Sequence, residues 1–303
     1  MYQGDSAGLS GYLNILKPPG MTSADVVAYV RKIAKVKRVG HGGTLDPGAA
    51  GVLPIAIGPA TRLVEYLHQC YKAYRAEVTF GVVTDTYDAQ GKIVAAQPGC
   101  KVAVAHLERA LDQFRGEIEQ RPPAHSALKV QGRRLYELAR EGVAVEARLR
   151  KVEIRELRLV KQLLPEEESV SSCFLDVVCS SGTYIRSLCH DLGQALGCGA
   201  YMSFLVRTQV GPFSLNQSLC LEELTDPEKV YKALVGPEVA VAHLPKIVLS
   251  PDQRVRFAHG NAIPQRGAFT PGEYGVYDEE GQLVGIGIIR ENQLQPRKVF
   301  AKD

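Results

Sequence analysis

The alternation and helical spacing of apolar side chains divide the chain into short elements. Gly11 to Leu16 reads as a strand, closed by a turn at Lys17-Pro18-Pro19-Gly20, because proline fixes φ and glycine accepts the opposite sign. Thr22 then caps a helix whose apolar positions Val26, Val27, Val30 and Ile33 share a side, with Asp25 three residues after the cap as in a capping box. Tyr74 to Phe80 alternates as a half-buried strand does. Asp85 to Gly91 is rich in turn formers, and Lys92 to Ala96 is expected to return as the hairpin partner of that strand. Leu107, Ala110, Leu111 and Phe114 mark one face of a further helix.

From Glu119 to Arg150 the periodicity weakens, two prolines appear, and a short helical piece, Leu135 to Arg140, is surrounded by basic residues. Residues 119–151 therefore read as an exposed excursion from the domain. Strands at Val152 to Val160 and Cys173 to Cys179 flank an acidic turn, Pro165 to Glu168, and Tyr184 to Leu196 is a helix entered from Ser180-Ser181-Gly182. This order lacks regular βαβ alternation, so the predicted class is α+β, with a mixed, mostly antiparallel central sheet flanked by helices. Composition changes near residue 220: an acidic link (Glu222, Glu223, Asp226, Glu228) and Pro245 precede short Gly-bounded strands such as Tyr274 to Tyr277 and Leu283 to Ile289. The expected division is 1–243 and 244–303, the second a small β-rich module packed on the first.

Composition narrows the classes. With 45% hydrophobic and 23% charged residues in 303, the chain is not collagen-like, coiled-coil or wholly disordered. Met1 to Ser10 lacks the order of a secretory leader, and the most apolar stretch, Gly48 to Ala60, is shorter than the roughly 20 residues of a membrane helix. Seven cysteines, never spaced C-x-x-C, read as reduced thiols, and a cytoplasmic protein is expected. The net charge is only +3, but the cations are clustered. Arg31, Lys32, Lys35, Lys37 and Arg38 have no acid among them, and residues 121–151 hold eight Lys or Arg against Glu137, Glu141 and Glu146. Each run is a solvated face or a phosphate-binding one. No G-x-x-x-x-G-K-[ST], complete G-x-G-x-x-G or H-E-x-x-H occurs, so neither a metal nor a nucleotide cofactor is expected.

One loop concentrates chemistry. Gly40-His41-Gly42-Gly43-Thr44-Leu45-Asp46-Pro47-Gly48-Ala49-Ala50-Gly51 sets an imidazole and a carboxylate among small residues, which permit close approach of a second backbone or a planar ligand. By composition alone, Asp46-Pro47 reads as the start of an ordinary turn. The run from Lys17-Pro18-Pro19-Gly20-Met21-Thr22-Ser23 through His41 to Pro47 and on to Val52-Leu53-Pro54-Ile55 resembles the TruB family of tRNA pseudouridine synthases. The likeness continues through Lys72-Ala73-Tyr74, Asp85 to Gly91, Gln120-Arg121-Pro122-Pro123, Ser126-Ala127-Leu128-Lys129, Tyr136-Glu137-Leu138-Ala139-Arg140, Gly182-Thr183-Tyr184-Ile185-Arg186 and Leu205-Val206-Arg207-Thr208, so that it spans residues 11–210 in order.

The resemblance implies a pseudouridine synthase fold and a PUA-like RNA-binding tail. It also implies a stand-alone enzyme that isomerises uridine 55 in the T-loop of tRNA. Asp46 corresponds to the family's catalytic aspartate, a nucleophile that adds to the target uridine. Arg186 corresponds to the arginine that pairs with it, and Tyr74 to the tyrosine that stacks on the base and assists removal of its C5 proton. Leu205 would pack the other face of the base, His41 would wedge into the RNA stack after the base leaves it, and Asp88 matches an aspartate near the site. Lys17, Arg31 and Lys35, with Lys129, Arg133 and Arg134 of the excursion, would grip phosphates, and Tyr184 lies in the same substrate-binding set. His125 departs from the pattern, standing where the family often has tyrosine. The implied partner is the T-arm of tRNA, with no membrane, no required protein partner and a monomeric chain. Three rivals stay open: a guide-RNA-dependent synthase of the same superfamily, a non-catalytic tRNA-binding or tRNA-folding module, and an aspartate-based glycosidase with a second carboxylate nearby.

Overall fold

In the computed structural model the described residues are 9–126, 128–130, 132–141, 143, 147–161, 168–265 and 267–300. The acidic turn expected at Pro165 to Glu168 falls mostly outside them, as do the side chains of Lys129 and Arg134. The central sheet runs Gly11–Lys17, Ala50–Ile57, Ala200–Val210, Lys72–Phe80, Ser172–Cys179, Arg150–Leu159, Gly116–Gln120. Every neighbouring pair along it is antiparallel except Ala50–Ile57 with Ala200–Val210. The predicted α+β class, with a mixed and mostly antiparallel sheet, is borne out.

Helix α1 (Ser23–Ala34) starts where Thr22 accepts from the Asp25 amide and Asp25 accepts from that of Thr22, a reciprocal cap that satisfies two end donors at once. Its apolar face, Val26, Val27, Val30 and Ala34, packs on Leu13, Ile15, Leu53 and Ile55 of the first two strands. Helix α2 (Val64–Gln69) sets Tyr66 and Leu67 beside Tyr12 and Val52. Helix α3 (Val104–Leu111) and, beyond the short helix α4 (Leu135–Arg140), helix α5 (Ile185–Ala195) share a core with Tyr74, Ala76, Val78 and Leu205. Alternate residues of the Lys72–Phe80 strand therefore face α5.

One expectation about strands is revised, and one strand has no counterpart among the expected elements. Ile93–Ala96 does not pair with Tyr74–Phe80; it pairs with a separate short strand, Val82–Thr84. The break is at Gly81, whose φ of +79° turns the chain out of the sheet, leaving Lys72–Phe80 between Ala200–Val210 and Ser172–Cys179. Ala50–Ile57, a stretch with no alternation and an internal Pro54, is a strand buried along nearly its whole length. It lies between two others, where both faces are covered.

Residues 246–299 build a second sheet, ordered Lys246–Val248, Gly272–Tyr277, Leu283–Arg290, Gln293–Val299, Ile263–Pro264, with a core of Ile247, Phe257, Val276 and Leu294. Ile286 reaches out of it into the cluster of Tyr12, Tyr66 and Leu67. Around that contact Arg62 donates to the Val299 carbonyl at 2.8 Å, and Glu65 of α2 pairs with Lys298 at 2.8 Å and Arg297 at 3.5 Å. Among the described residues no helix is long and apolar enough to cross a membrane.

The parallel junction has a tight point at Gly51, where φ is +120° and a Cβ would lie 2.2 Å from the carbonyl oxygen of Arg207 and 2.5 Å from its nitrogen. These atoms are backbone held in the sheet, which leaves no way to yield. Gly51→Ala should destabilise the protein by at least about 2 kcal/mol, read as a lowered Tm. A variant melting within a degree of wild type would contradict this packing.

Candidate active site

The Asp46 loop is held by donors on every side. Ser23, the first residue of α1, accepts from the Leu45 amide at 2.9 Å and donates to the Leu45 carbonyl at 3.2 Å. On the other flank the Pro47 carbonyl accepts from the Gly20 amide at 2.8 Å and from Lys17 Nζ at 3.3 Å. Arg207 donates to the carbonyls of Val52 at 2.8 Å and of Thr44 and Gly43 at 3.1 Å each. Its side chain is 1% exposed, so the guanidinium must be satisfied internally, and the loop carbonyls do this. Asp46 sits between these anchors with its side chain 37% exposed.

Helix α5 brings Arg186 to that carboxylate from its first turn. The helix entrance is fixed by buried Gln120, which accepts from the Tyr184 amide at 2.7 Å and donates to the Tyr184 carbonyl at 3.0 Å. Arg186 Nε lies 3.0 Å from Asp46 Oδ2 and Nη2 lies 3.4 Å from Oδ1, a two-point contact that sets the plane of the carboxylate. The far side of the guanidinium meets Asp88 Oδ2 at 3.4 Å and the carbonyls of Thr86 and His125 at 3.3 and 3.2 Å. Asp88 in turn accepts from the Thr86 hydroxyl at 2.6 Å and the Gln90 amide at 3.0 Å.

These groups border a cleft of about 1050 Å³ whose lining includes His41, Asp46, Tyr74, Tyr184, Arg186 and Leu205. That is at the upper end of small-ligand sites, about 300–1,000 Å³, and leaves room for a nucleotide with part of its neighbours. Strand register places Tyr74 opposite Arg207 and Leu205 opposite Ala76, so all four project to one face of the sheet. Burial pushes the Tyr74 phenol up to about 12, so it stays protonated at neutral pH and presents a ring and a hydroxyl. Burial, with the charges of His68 and Arg207 behind it, lowers the pKa of His41, whose Nδ1 accepts from the Gly43 amide at 3.3 Å. No cluster of His, Cys, Asp or Glu able to hold a metal occurs among the described residues.

Most of the site residues expected from the sequence thus converge: Asp46, Tyr74, Arg186, His41, Leu205, Tyr184 and Asp88 line one cleft. Lys17 does not serve as expected. It is 0% exposed and its ammonium donates to the carbonyls of Pro18 at 2.9 Å, Met21 at 2.6 Å and Pro47 at 3.3 Å, so it staples the loop from inside and is out of reach of phosphate. Arg31 and Lys35 are exposed, and Arg133 pairs with Glu141 on the surface. His125 enters through its backbone carbonyl, which a tyrosine would supply equally. Sequence reasoning missed Ser23, Gln120 and the role of Arg207; only the last carried a signal, an arginine two residues beyond Leu205 and so on the same inward face.

A mixed, mostly antiparallel sheet with a carboxylate–arginine pair over a nucleotide-sized cleft is the architecture of a pseudouridine synthase. The subunit in a Cbf5-Nop10-Gar1 complex superposes with a TM-score of 0.73 at 30% identity, covering 96% of this chain and 85% of that one. A structure of an H/ACA RNP bound to a substrate RNA containing 2'-deoxyuridine gives 0.72 at 28% identity. Family models match in succession: the N-terminal domain of the TruB family pseudouridylate synthases over residues 31–185, the tRNA pseudouridylate synthase B C-terminal domain over 186–252, and the pseudouridine synthase II TruB C-terminal model over 245–300. A curated tRNA pseudouridine synthase B from Heliobacterium modesticaldum is 46% identical over 97% of this chain and 96% of its own length. One from Symbiobacterium thermophilum is 50% identical over 84% of this chain and 83% of its own length. The chain belongs to the TruB family of pseudouridylate synthases, enzymes that isomerise uridine to pseudouridine.

The internal lysine has a measurable signature. Burial above all, and then the Arg207 charge, lower the Lys17 pKa from its ordinary 10.5 to about 8 despite the opposing pull of Asp46. Between those values the unfolded chain binds more protons than the folded one, so this residue's contribution to stability rises with pH from near 8 until the unfolded lysine has also lost its proton. The Tm of wild type minus that of Lys17→Met should therefore grow in favour of wild type from about pH 7.5 to about pH 10. A flat difference would show that the lysine is not buried.

Proposed function

We propose that the chain converts uridine 55 in the T-loop of tRNA to pseudouridine, with Asp46 as covalent nucleophile on an everted base. The observation that carries this is the two-point Arg186–Asp46 contact, which presents an oriented carboxylate to a cleft walled by Tyr74 and Leu205. Relatives bearing the tRNA pseudouridine synthase B name over nearly their whole length support tRNA as substrate.

The isomerisation conserves every atom of the base. An Asp46 oxygen bonds to C1′ or C6 of the uridine, the N1–C1′ bond breaks, the ring turns, C5 bonds to C1′, the C5 proton leaves and N1 gains one, and the bond to Asp46 breaks to return the free carboxylate. No redox step or water is needed. Tyr74 and Leu205 hold the two faces of the pyrimidine through this rotation, and Arg186 fixes the oxygen that attacks. Extraction of the base costs a few kcal/mol of unstacking, and His41, which lines the cleft, fills the gap left in the RNA. Arg31, Lys32, Lys35, Lys37 and Arg38, all exposed, form the phosphate-binding face with the cations of the 119–151 excursion. The 244–303 module, latched to α2, acts as a PUA-like extension of the RNA surface. The guide-dependent reading is less well supported: the chain is 46% identical to a tRNA enzyme and 30% identical to the Cbf5-complex subunit.

Asp46→Asn should lower turnover on an unmodified tRNA transcript at least about a thousandfold while tRNA binding stays within a few-fold, as expected for loss of a nucleophile that contributes little to ground-state affinity. Retained turnover would refute the nucleophile. A transcript with another base at position 55 should give no product, and pseudouridine elsewhere in it would refute the site. Binding should also weaken steeply with salt. If about six phosphates are contacted, log K against log[salt] should have a slope of roughly −4 to −5, and a slope near zero would remove the role given to the basic face.

A further inference from the structure

The hairpin turn that supports Arg186 is itself tied to α5 by a contact that the reaction as described leaves unused. Tyr87 and His190 are stacked, with ring centroids 3.9 Å apart and planes 11° from parallel. Tyr87 lies between Thr86, whose carbonyl accepts from Arg186, and Asp88, whose carboxylate pairs with it. His190 is four residues beyond Arg186, one helical turn along the same helix. The turn and the helix are thus joined twice, by the arginine and by the rings.

We propose that Tyr87 and His190 are positioning residues whose stacked rings set the height of the Thr86–Asp88 turn above α5, and through it the orientation of Arg186 on Asp46. Three observations converge. Tyr87 has a φ of +62°, an uncommon conformation for a bulky side chain that aims the ring back at the helix. Its carbonyl accepts from the Met202 amide at 3.0 Å, which pins the turn to the Ala200–Val210 strand, while Arg186 and the stacked rings tie it to α5. Burial lowers the His190 pKa, and its buried Nδ1 has no hydrogen-bond partner among the described residues, so the plane of an uncharged imidazole is fixed by the tyrosine against it. Neither ring lines the cleft, so their effect passes through Arg186.

The inference rests on Asp46 being the nucleophile, and the test separates the two. The single-turnover rate on unmodified tRNA, tRNA affinity and Tm are measured for Tyr87→Leu, Tyr87→Phe, His190→Leu, His190→Phe and the double Leu variant, beside Asp46→Asn. Tyr87→Leu and His190→Leu should each react about tenfold more slowly with tRNA affinity within about twofold of wild type, as a small misplacement of a catalytic group predicts. Both phenylalanine variants keep two stacked rings and should stay within about twofold, and the double variant should be no slower than either single Leu variant. If Tyr87→Leu does not fold, His190→Leu carries the same comparison with His190→Phe. A wild-type rate in either Leu variant, a phenylalanine variant as slow as its leucine counterpart, or a loss confined to tRNA affinity would overturn the clamp while leaving an inactive Asp46→Asn, and so the nucleophile, intact. An active Asp46→Asn would overturn the reading beneath it.

Discussion

Three buried cations govern the geometry of this protein. A guanidinium or ammonium removed from water has to recover its hydrogen bonds internally, and Lys17, Arg186 and Arg207 each recover part of their set from the segment between Gly43 and Pro47. The dependence is mutual. The loop is mostly small residues without regular structure, and its carbonyls point inward because donors meet them there. An aspartate on a glycine-rich loop would otherwise sample many directions; here its neighbours on both sides are fixed and the carboxylate takes its orientation from Arg186, which it contacts directly.

The sheet acts as the frame that brings these donors together. Lys17 ends one strand, Arg207 lies in another, and Arg186 starts the helix that packs over the face carrying Tyr74 and Leu205. Gly51 allows the parallel contact that joins the first strand pair to the rest, and Arg207 spans that same seam with its backbone against Gly51 and its side chain on the loop. Packing and site geometry therefore share residues, which explains why the loop can be precise without being helical or stranded. The second sheet extends this frame through Ile286 and the cations around Glu65, reaching the helix whose Leu67 lies against Gly42.

Much of this was legible in the sequence, for identifiable reasons. The Thr22 cap, the strand beginning near Tyr74 and the helix after Gly182 have local signals, because capping and alternation are local physics. The site could be named only because its motifs resemble a family's; nothing in the spacing of Asp46 and Arg186 says that they meet. Lys17 was misjudged because a lysine beside Pro-Pro-Gly reads as a surface charge, and only the fold shows three carbonyls closing over it. Ala50–Ile57 was overlooked because a strand covered on both faces loses its alternation. Ser23 and Gln120 act through backbone contacts with segments far away in the chain, for which a single sequence has no signature.

The order in which the chain is made adds a consequence of this stapling. Asp46 is 140 residues from Arg186, and Thr44 is 163 from Arg207. At a synthesis rate of about 5–20 residues per second, the loop is polymerised roughly 8–33 seconds before its last anchor. Through that interval the nascent protein carries the Asp46 carboxylate without the groups that orient it, and the loop gains its full set of anchors only when Ala200–Val210 takes its place between the older strands Ala50–Ile57 and Lys72–Phe80.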